Sequence, residues 1–125
     1  MLDKNKLVQT VKNLAPDVRL IYLFGSQADG SSTPSSDIDI AVLLEKKLDP
    51  VARFDLEQTL AIELNQDVDL VDLLTASTVL QNQVIMHGSL LFGSENEQTK
   101  FEMQIMSMYQ RLNEERADIL REYLK

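Results

Sequence analysis

Two strand-like runs joined by a short polar stretch constrain this chain more than any other feature of its sequence. The first run, 18–24 (VRLIYLF), is rich in β-branched and aromatic side chains and stops at Gly25-Ser26. Ten polar residues later the second run, 37–44 (DIDIAVLL), opens with an Asp-x-Asp pair. Successive side chains of a strand point to opposite faces, so the two aspartates share one face and the isoleucines share the other. The pattern therefore predicts two strands with two carboxylates side by side.

Hydrophobic periodicity predicts further helices and strands that alternate on both sides of these two strands. It predicts helices over 3–14, 51–65, 77–86 and 95–124, a third strand over 68–73 and a short strand over 90–92. A chain of 125 residues is enough for one domain and short for two. We therefore expect an α/β or α+β fold in a single domain, 1–125.

Composition excludes several classes of site. The chain has no Cys and a single His, His87, which excludes a disulfide framework, a thiolate metal site and a zinc site built on several imidazoles. Its apolar runs are too short to cross a bilayer and its start lacks a signal-peptide core, so a cytoplasmic protein is expected. Residues 20–99 carry 13 acidic and 3 basic side chains, an excess that disfavours direct nucleic-acid binding and suits divalent cations.

The aspartates are the candidate catalytic and metal-binding residues. Two carboxylates on one strand face repel each other unless a cation lies between them, and Mg²⁺ prefers one or two carboxylates together with substrate phosphates. Asp37 and Asp39 are therefore a candidate clamp for Mg²⁺ and a nucleoside triphosphate. On the third strand Asp69 has the parity to join them, either at a second metal or as a general base, whereas Asp72 has the opposite parity and ranks second.

The Gly-Ser pair is the candidate phosphate-binding element. Gly25 allows the backbone to approach a phosphate closely, and Ser26 can donate its hydroxyl and its N–H. A helix that begins near Ser26 would add the partial positive charge of its amino end.

Gly25-Ser26, the ten-residue spacer and Asp37-Ile38-Asp39 together resemble the signature of the DNA polymerase β-like nucleotidyltransferases, and the short length resembles their minimal (MNT) branch. The resemblance covers about 18–92, the expected catalytic core, with a C-terminal helix over about 95–124 behind it. It implies a small mixed sheet flanked by helices, and transfer of a nucleoside monophosphate from ATP, with Mg²⁺, to a hydroxyl. MNT proteins often act as antitoxins of a HEPN ribonuclease toxin. The chain resembles such antitoxins, which implies transfer of AMP to a tyrosine of a HEPN partner.

Two other functions remain open at the level of sequence. A noncatalytic antitoxin would block its toxin by binding alone, but it would not need the aspartates and the Gly-Ser pair. Nucleotidyl transfer to a small molecule such as an aminoglycoside usually needs a further substrate domain, for which the chain leaves little room.

The positions after Gly-Ser depart from the family pattern. Many relatives carry basic residues directly after Gly-Ser and two positions further on, where this chain has Gln27 and Asp29. Lys46, Lys47 and Arg53 are the nearby basic substitutes, and the sequence does not choose among them.

The remaining residues favour structural roles. Tyr22 is expected in the core and His87 at the end of its helix, where Gly88 provides the stop. The apolar stripe of the last helix is expected to pack on its own sheet with some contact to a partner; it comprises Phe101, Ile105, Met108, Leu112, Ile119 and Tyr123.

Overall fold

The computed structural model describes residues 2–25 and 37–124, and the predicted loop over 27–36 lies outside these ranges. In chain order the described elements are α1 (Lys4–Leu14), β1 (Leu20–Phe24), β2 (Ile38–Leu43), α2 (Pro50–Leu64), β3 (Val68–Asp72), α3 (Thr78–His87), β4 (Ser89–Phe92) and α4 (Glu95–Tyr123). Each predicted helix and strand is present, with ends displaced by one or two residues. None of the helices in these ranges is long and apolar enough to cross a membrane.

The four strands form one mixed sheet in the order β3-β2-β1-β4. β1 is antiparallel to both β2 and β4, whereas β2 and β3 are parallel. The end of β1 therefore meets the starts of β2 and β3 at one edge of the sheet. The mixed sheet flanked by helices that the family resemblance implied is confirmed.

Helices cover both faces of the sheet, so the core has two halves. In the first half, α1 and α2 pack on alternate side chains of β1, β2 and β3; its residues include Leu7, Val11, Leu56, Leu60, Ile21, Leu23, Ile38, Ile40, Val42, Val68 and Leu70. In the second half, α3 and α4 pack on the opposite face; its residues are Leu20, Tyr22, Ala41, Leu43, Leu73, Val84, Ile85, Phe101 and Ile105. Asp39 and Asp69 alternate with the first set, so they lie on the α3–α4 face of the sheet.

Each helix starts at a side chain that accepts a hydrogen bond from the backbone N–H three residues further on. The four N-caps are Asp3, Asp49, Ser77 and Ser94. Such caps satisfy one of the otherwise unpaired N–H groups of the first turn and contribute about 1 kcal/mol each.

Gly88 follows α3, as predicted, but for a different reason. Its φ of −82° is not the left-handed conformation that favours glycine at helix ends. A Cβ at this position would lie 2.5 Å from the carbonyl oxygen of Val84 and 3.1 Å from that of Leu23. Close contact between the end of α3 and β1 therefore requires glycine here.

The expected packing of the last helix on its own sheet is wrong for most of its length. In α4 only Phe101 and Ile105 are buried. Further along the stripe Met108, Ile119 and Tyr123 are 42%, 69% and 85% exposed. The sheet underlies only the first third of this helix, and the apolar stripe continues beyond the core.

Candidate active site

The register of the sheet brings the predicted carboxylates together at one edge. Asp39 is the register partner of Asp69 on β3 and of Phe24 on β1. Asp37 precedes β2 by one residue and is exposed, as is Asp69, whereas Asp39 is partly buried. The predicted parity of all three aspartates is confirmed, because their neighbours Ile38, Ile40, Val68 and Leu70 face the α1–α2 half of the core.

The Asp39 carboxylate lies in an environment that disfavours its charged form. Burial raises the pKa of Asp39 above its ordinary value, and the negative charges of Asp69 and then Asp37 raise it further. Folding thus holds three like charges in one place at a cost to the charged form of Asp39. A bound cation would remove that cost.

Gly25 lies directly against the Asp39 carboxylate. Its φ is +68°, a conformation that side chains with a Cβ rarely adopt. A Cβ at this position would overlap Oδ2 of Asp39 and lie 3.1 Å from its Cγ. The glycine was predicted for its approach to phosphate, and the structure adds that it makes room for this carboxylate. Its neighbour Ser26, the other predicted phosphate ligand, lies outside the described residues.

The donor atoms of this edge fit Mg²⁺ together with a nucleotide. Among the residues of 2–25 and 37–124, no three Asp, Glu or His side chains form a group that could hold a metal by themselves. Mg²⁺ needs no such group, because one or two carboxylates and the phosphates of a substrate complete its oxygen shell. This edge offers hard oxygen donors and the negative charges of three neighbouring aspartates.

Comparison with known proteins assigns the family. Residues 5–98 match the family described as polymerase beta, nucleotidyltransferase. The chain belongs to this family. It is 46% identical over 119 residues to protein adenylyltransferase MntA of Shewanella oneidensis, an alignment that covers 95% of this chain and 86% of that protein.

Solved structures extend the likeness to the whole chain. A toxin–antitoxin crystal structure with AMP-PNP matches with a TM-score of 0.91 and 44% identity over 99% of this chain and 100% of the other. A Shewanella oneidensis structure, described as a tri-AMPylated HEPN toxin in complex with MNT antitoxin, matches with a TM-score of 0.82 and 43% identity over 98% of this chain and 96% of the other. The polymerase β-like fold and its long C-terminal helix are therefore shared with these chains.

Asp72 of this nucleotidyltransferase has a structural role. It is 2% exposed, and its carboxylate accepts hydrogen bonds from the backbone N–H groups of Leu48 at 2.8 Å and Leu74 at 3.0 Å. These bonds tie the loop after β2 to the end of β3. Both oxygens are thus engaged at the far end of the strand from Asp69, which agrees with the lower rank that its parity predicted.

The three basic substitutes are placed differently. Lys46 and Lys47 follow the end of β2, about 20 Å along the strand from the Asp37 end. Arg53 lies closer to the carboxylates, because its guanidinium contacts the carbonyl oxygen of Leu70, the residue after Asp69, at 3.3 Å. The same group contacts the Glu57 carboxylate at 3.3 Å. Arg53 is therefore the nearest candidate, and it is already engaged at the edge of β3.

Tyr22 packs in the core as predicted, but the sequence did not reveal its polar partner. Its hydroxyl donates a hydrogen bond of 2.7 Å to Oε2 of Glu102 on α4. Burial first, and then this carboxylate, raise the pKa of Tyr22 far above its ordinary value. The two residues are 80 positions apart, so no local pattern could have linked them.

Proposed function

We propose that this nucleotidyltransferase transfers AMP from ATP to a hydroxyl, that of a tyrosine, on a cognate HEPN-domain toxin and thereby neutralises it, with Mg²⁺ as cofactor, in the cytoplasm. The observation that carries the proposal is the register of Asp39 with Asp69 beside Gly25. The same fold occurs, over almost the whole of both chains, in an antitoxin bound to a tri-AMPylated HEPN toxin.

The predicted residues have distinct tasks in this mechanism. Asp37 and Asp39 would hold the cofactor and so orient the triphosphate beside Gly25. Mg²⁺, when bound, neutralises the charge that develops on the phosphates. The acceptor oxygen forms a bond to the α-phosphorus as the bond to the pyrophosphate oxygen breaks.

Asp69 has two alternative tasks in this proposal. As a general base its carboxylate accepts the proton of the acceptor hydroxyl, a task that suits its exposure. As a third metal ligand its carboxylate would help to hold a second ion, and the proton of the acceptor hydroxyl would pass to water. In the first case Asp69→Asn lowers kcat, with the Mg²⁺ dependence unchanged. In the second case the Mg²⁺ concentration needed for half-maximal rate rises.

A third solved relative supports the assignment of the Asp-x-Asp pair. It is a mutant of a MntA toxin–antitoxin complex, named for the replacement of two aspartates, two positions apart, by glutamates (TM-score 0.89, 43% identity). Asp37 and Asp39 have that spacing. A glutamate keeps the charge of an aspartate and moves its carboxylate oxygens by one methylene.

The deciding experiment is nucleotide transfer by Asp39→Ala. Purified toxin is incubated with ATP, Mg²⁺ and each variant, and its intact mass is measured. We expect one or more AMP additions with the wild-type chain, none with Asp39→Ala, and wild-type levels with Asp55→Ala, an exposed aspartate of α2.

Undiminished labelling by Asp39→Ala would overturn the assignment. Neutralisation of the toxin by the wild-type chain without any mass increase would instead establish an antitoxin that acts by binding alone. Circular dichroism of each variant confirms that the fold is retained.

A further inference from the structure

The direction of α4 relative to the sheet follows from its contacts. Near its start, Glu97 forms an ion pair with Arg19, which immediately precedes β1. Five residues later Glu102 accepts the hydrogen bond from Tyr22, in the middle of β1. α4 is thus fastened to β1 at two points, and both lie in its first third.

Beyond these points α4 runs alongside α3. Gln81, in the first half of α3, lines the same pocket as Ile105 and Met108. Further along α3, Met86 lines a groove with residues as far along α4 as Ala117. Both helices therefore advance in the same direction.

That direction leads to the edge of the sheet that carries the carboxylates. α3 ends at Gly88, where a Cβ would lie 3.4 Å from Cβ of Phe24. Phe24 is the register partner of Asp39, and α3 and α4 cover the face of the sheet on which Asp39 lies. The later part of α4 therefore extends past this edge, on the side of the candidate active site.

We call residues 113–124 the distal arm. All of them are exposed to solvent, and the first few border the α3–α4 groove. The arm nevertheless carries large apolar side chains: Ile119, Leu120, Tyr123 and Leu124 are 69%, 57%, 85% and 73% exposed. Since the core does not bury these side chains, they form an exposed apolar patch, which is typical of a protein interaction site.

The α3–α4 groove continues this apolar surface toward the core. Its volume is about 500 Å³, and its lining includes Asn82, Met86, Met106, Tyr109, Asn113 and Ala117. A groove between two helices, lined by flexible methionines, fits an amphipathic helix of another protein.

We propose that the groove and the distal arm together form the docking surface for the protein acceptor, with a helix of the HEPN toxin seated in the groove; this inference rests on the proposed function. A protein held here lies beside the carboxylates, where its hydroxyl must be for transfer to occur. A second copy of this chain in the same place would obstruct the acceptor. A nucleic acid is disfavoured, because the arm carries four acidic and two basic side chains.

Two charge insertions test the surface against a matched control. Ile119→Asp alters the arm and Met86→Asp alters the groove, at side chains that are 69% and 57% exposed. Ile62→Asp makes the same change as Ile119→Asp on α2, where Ile62 is 77% exposed on the opposite side of the sheet. All three sites are exposed, so the melting temperatures should stay close to that of the wild type.

Affinity for the purified cognate toxin is measured by calorimetry, and the transfer rate is measured against toxin concentration. We expect Ile119→Asp and Met86→Asp to weaken toxin binding at least about tenfold, or 1.4 kcal/mol, and to raise the KM for toxin with kcat unchanged at saturation. Ile62→Asp should behave as the wild type in both measurements.

Each other outcome is informative. Wild-type affinity of both surface variants, or loss of affinity in Ile62→Asp as well, would overturn the docking surface. A change from dimer to monomer in sedimentation, with toxin affinity unchanged, would assign the surface to a second copy. If the wild-type chain binds toxin but never labels it, the proposed function fails while the affinities still decide the surface. If it does not bind toxin, the proposed occupant is wrong.

Discussion

The position of the Asp39 carboxylate depends on the absence of a side chain at Gly25. The backbone turns with positive φ immediately after β1, and the space that a Cβ would fill is taken by the Asp39 carboxylate. A side chain at position 25 would strain the turn and displace the carboxylate at the same time.

This coupling predicts that Gly25→Ala loses transfer activity by more than its loss of stability explains. The left-handed conformation costs about 1–2 kcal/mol for alanine, and the displaced carboxylate should lower the transfer rate by a hundredfold or more. Gly93→Ala is the control, since Gly93 also has positive φ, +138°, but its Cβ would meet Leu20 and Arg19 at the other end of β1. It should lower the melting temperature and spare the rate. Equal activity losses in the two variants would contradict this steric role.

The raised pKa of Asp39 predicts a pH-dependent stability. Because folding raises this pKa above 3.8, the folded state favours the protonated carboxyl, and stability is lost as the pH rises through the raised pKa. In metal-free buffer, Asp39→Asn should therefore melt a few degrees above the wild type at neutral pH. The difference should shrink as the pH falls toward 4. Thermal unfolding of both proteins at several pH values measures it, and a difference independent of pH would show that the charge of Asp39 is not its cause.

At the scale of elements, two side chains of α2 form hydrogen bonds with backbone groups on the exposed edge of β3. The Glu57 carboxylate accepts a hydrogen bond of 2.8 Å from the backbone N–H of Leu70, and Arg53 donates to the carbonyl oxygen of the same residue. Unpaired backbone N–H and C=O groups on an edge strand are a template for aggregation. Glu57 and Arg53 pair those of Leu70, the residue after Asp69.

We expect Glu57→Ala to destabilise the protein by about 1–3 kcal/mol, because it leaves the Leu70 N–H without its charged acceptor. Urea unfolding gives the free-energy change, and light scattering reports association through the uncovered edge. Glu63→Ala removes an exposed glutamate from the same helix and should change stability by less than about 0.5 kcal/mol. A Glu57→Ala protein as stable as Glu63→Ala would show that water replaces the bond at no cost.

At the scale of the whole molecule, a sheet covered on both faces leaves its edges and ends as the places where substrate can bind. The candidate active site occupies one such end, where the acidic middle of the chain concentrates negative charge. The protein without a bound cation should therefore be less stable than the cation-bound protein, and ligands that supply positive charge should stabilise it.

We expect Mg²⁺ with AMP-PNP to raise stability by about 2.7 kcal/mol when the complex is present at a hundred times its dissociation constant. Differential scanning fluorimetry with Mg²⁺ alone, nucleotide alone and both together measures the effect, which should be largest for the pair. Asp39→Asn should lose most of it, whereas Asp55→Ala should retain it. Equal stabilisation of wild type and Asp39→Asn would place the nucleotide elsewhere.

Local patterns predicted the helices and strands well because each follows from side-chain periodicity and a cap. The parity argument for Asp69 also succeeded, because alternation along a strand is fixed by backbone geometry. The last helix was predicted less well. Its apolar stripe resumes after a gap at Arg116, so periodicity alone does not show that the sheet ends beneath Phe101 and Ile105.

The fold class, the family and the candidate carboxylates were determined by the sequence alone, since they depend on spacing along the chain. The tertiary structure decided how those residues meet. It places Asp39 beside Asp69 and leaves space for the Asp39 carboxylate at Gly25. It also shows that α4 extends beyond the hydrophobic core. The reason is physical. Spacing sets which face a side chain takes, but contacts between residues far apart depend on strand register and on how whole helices pack.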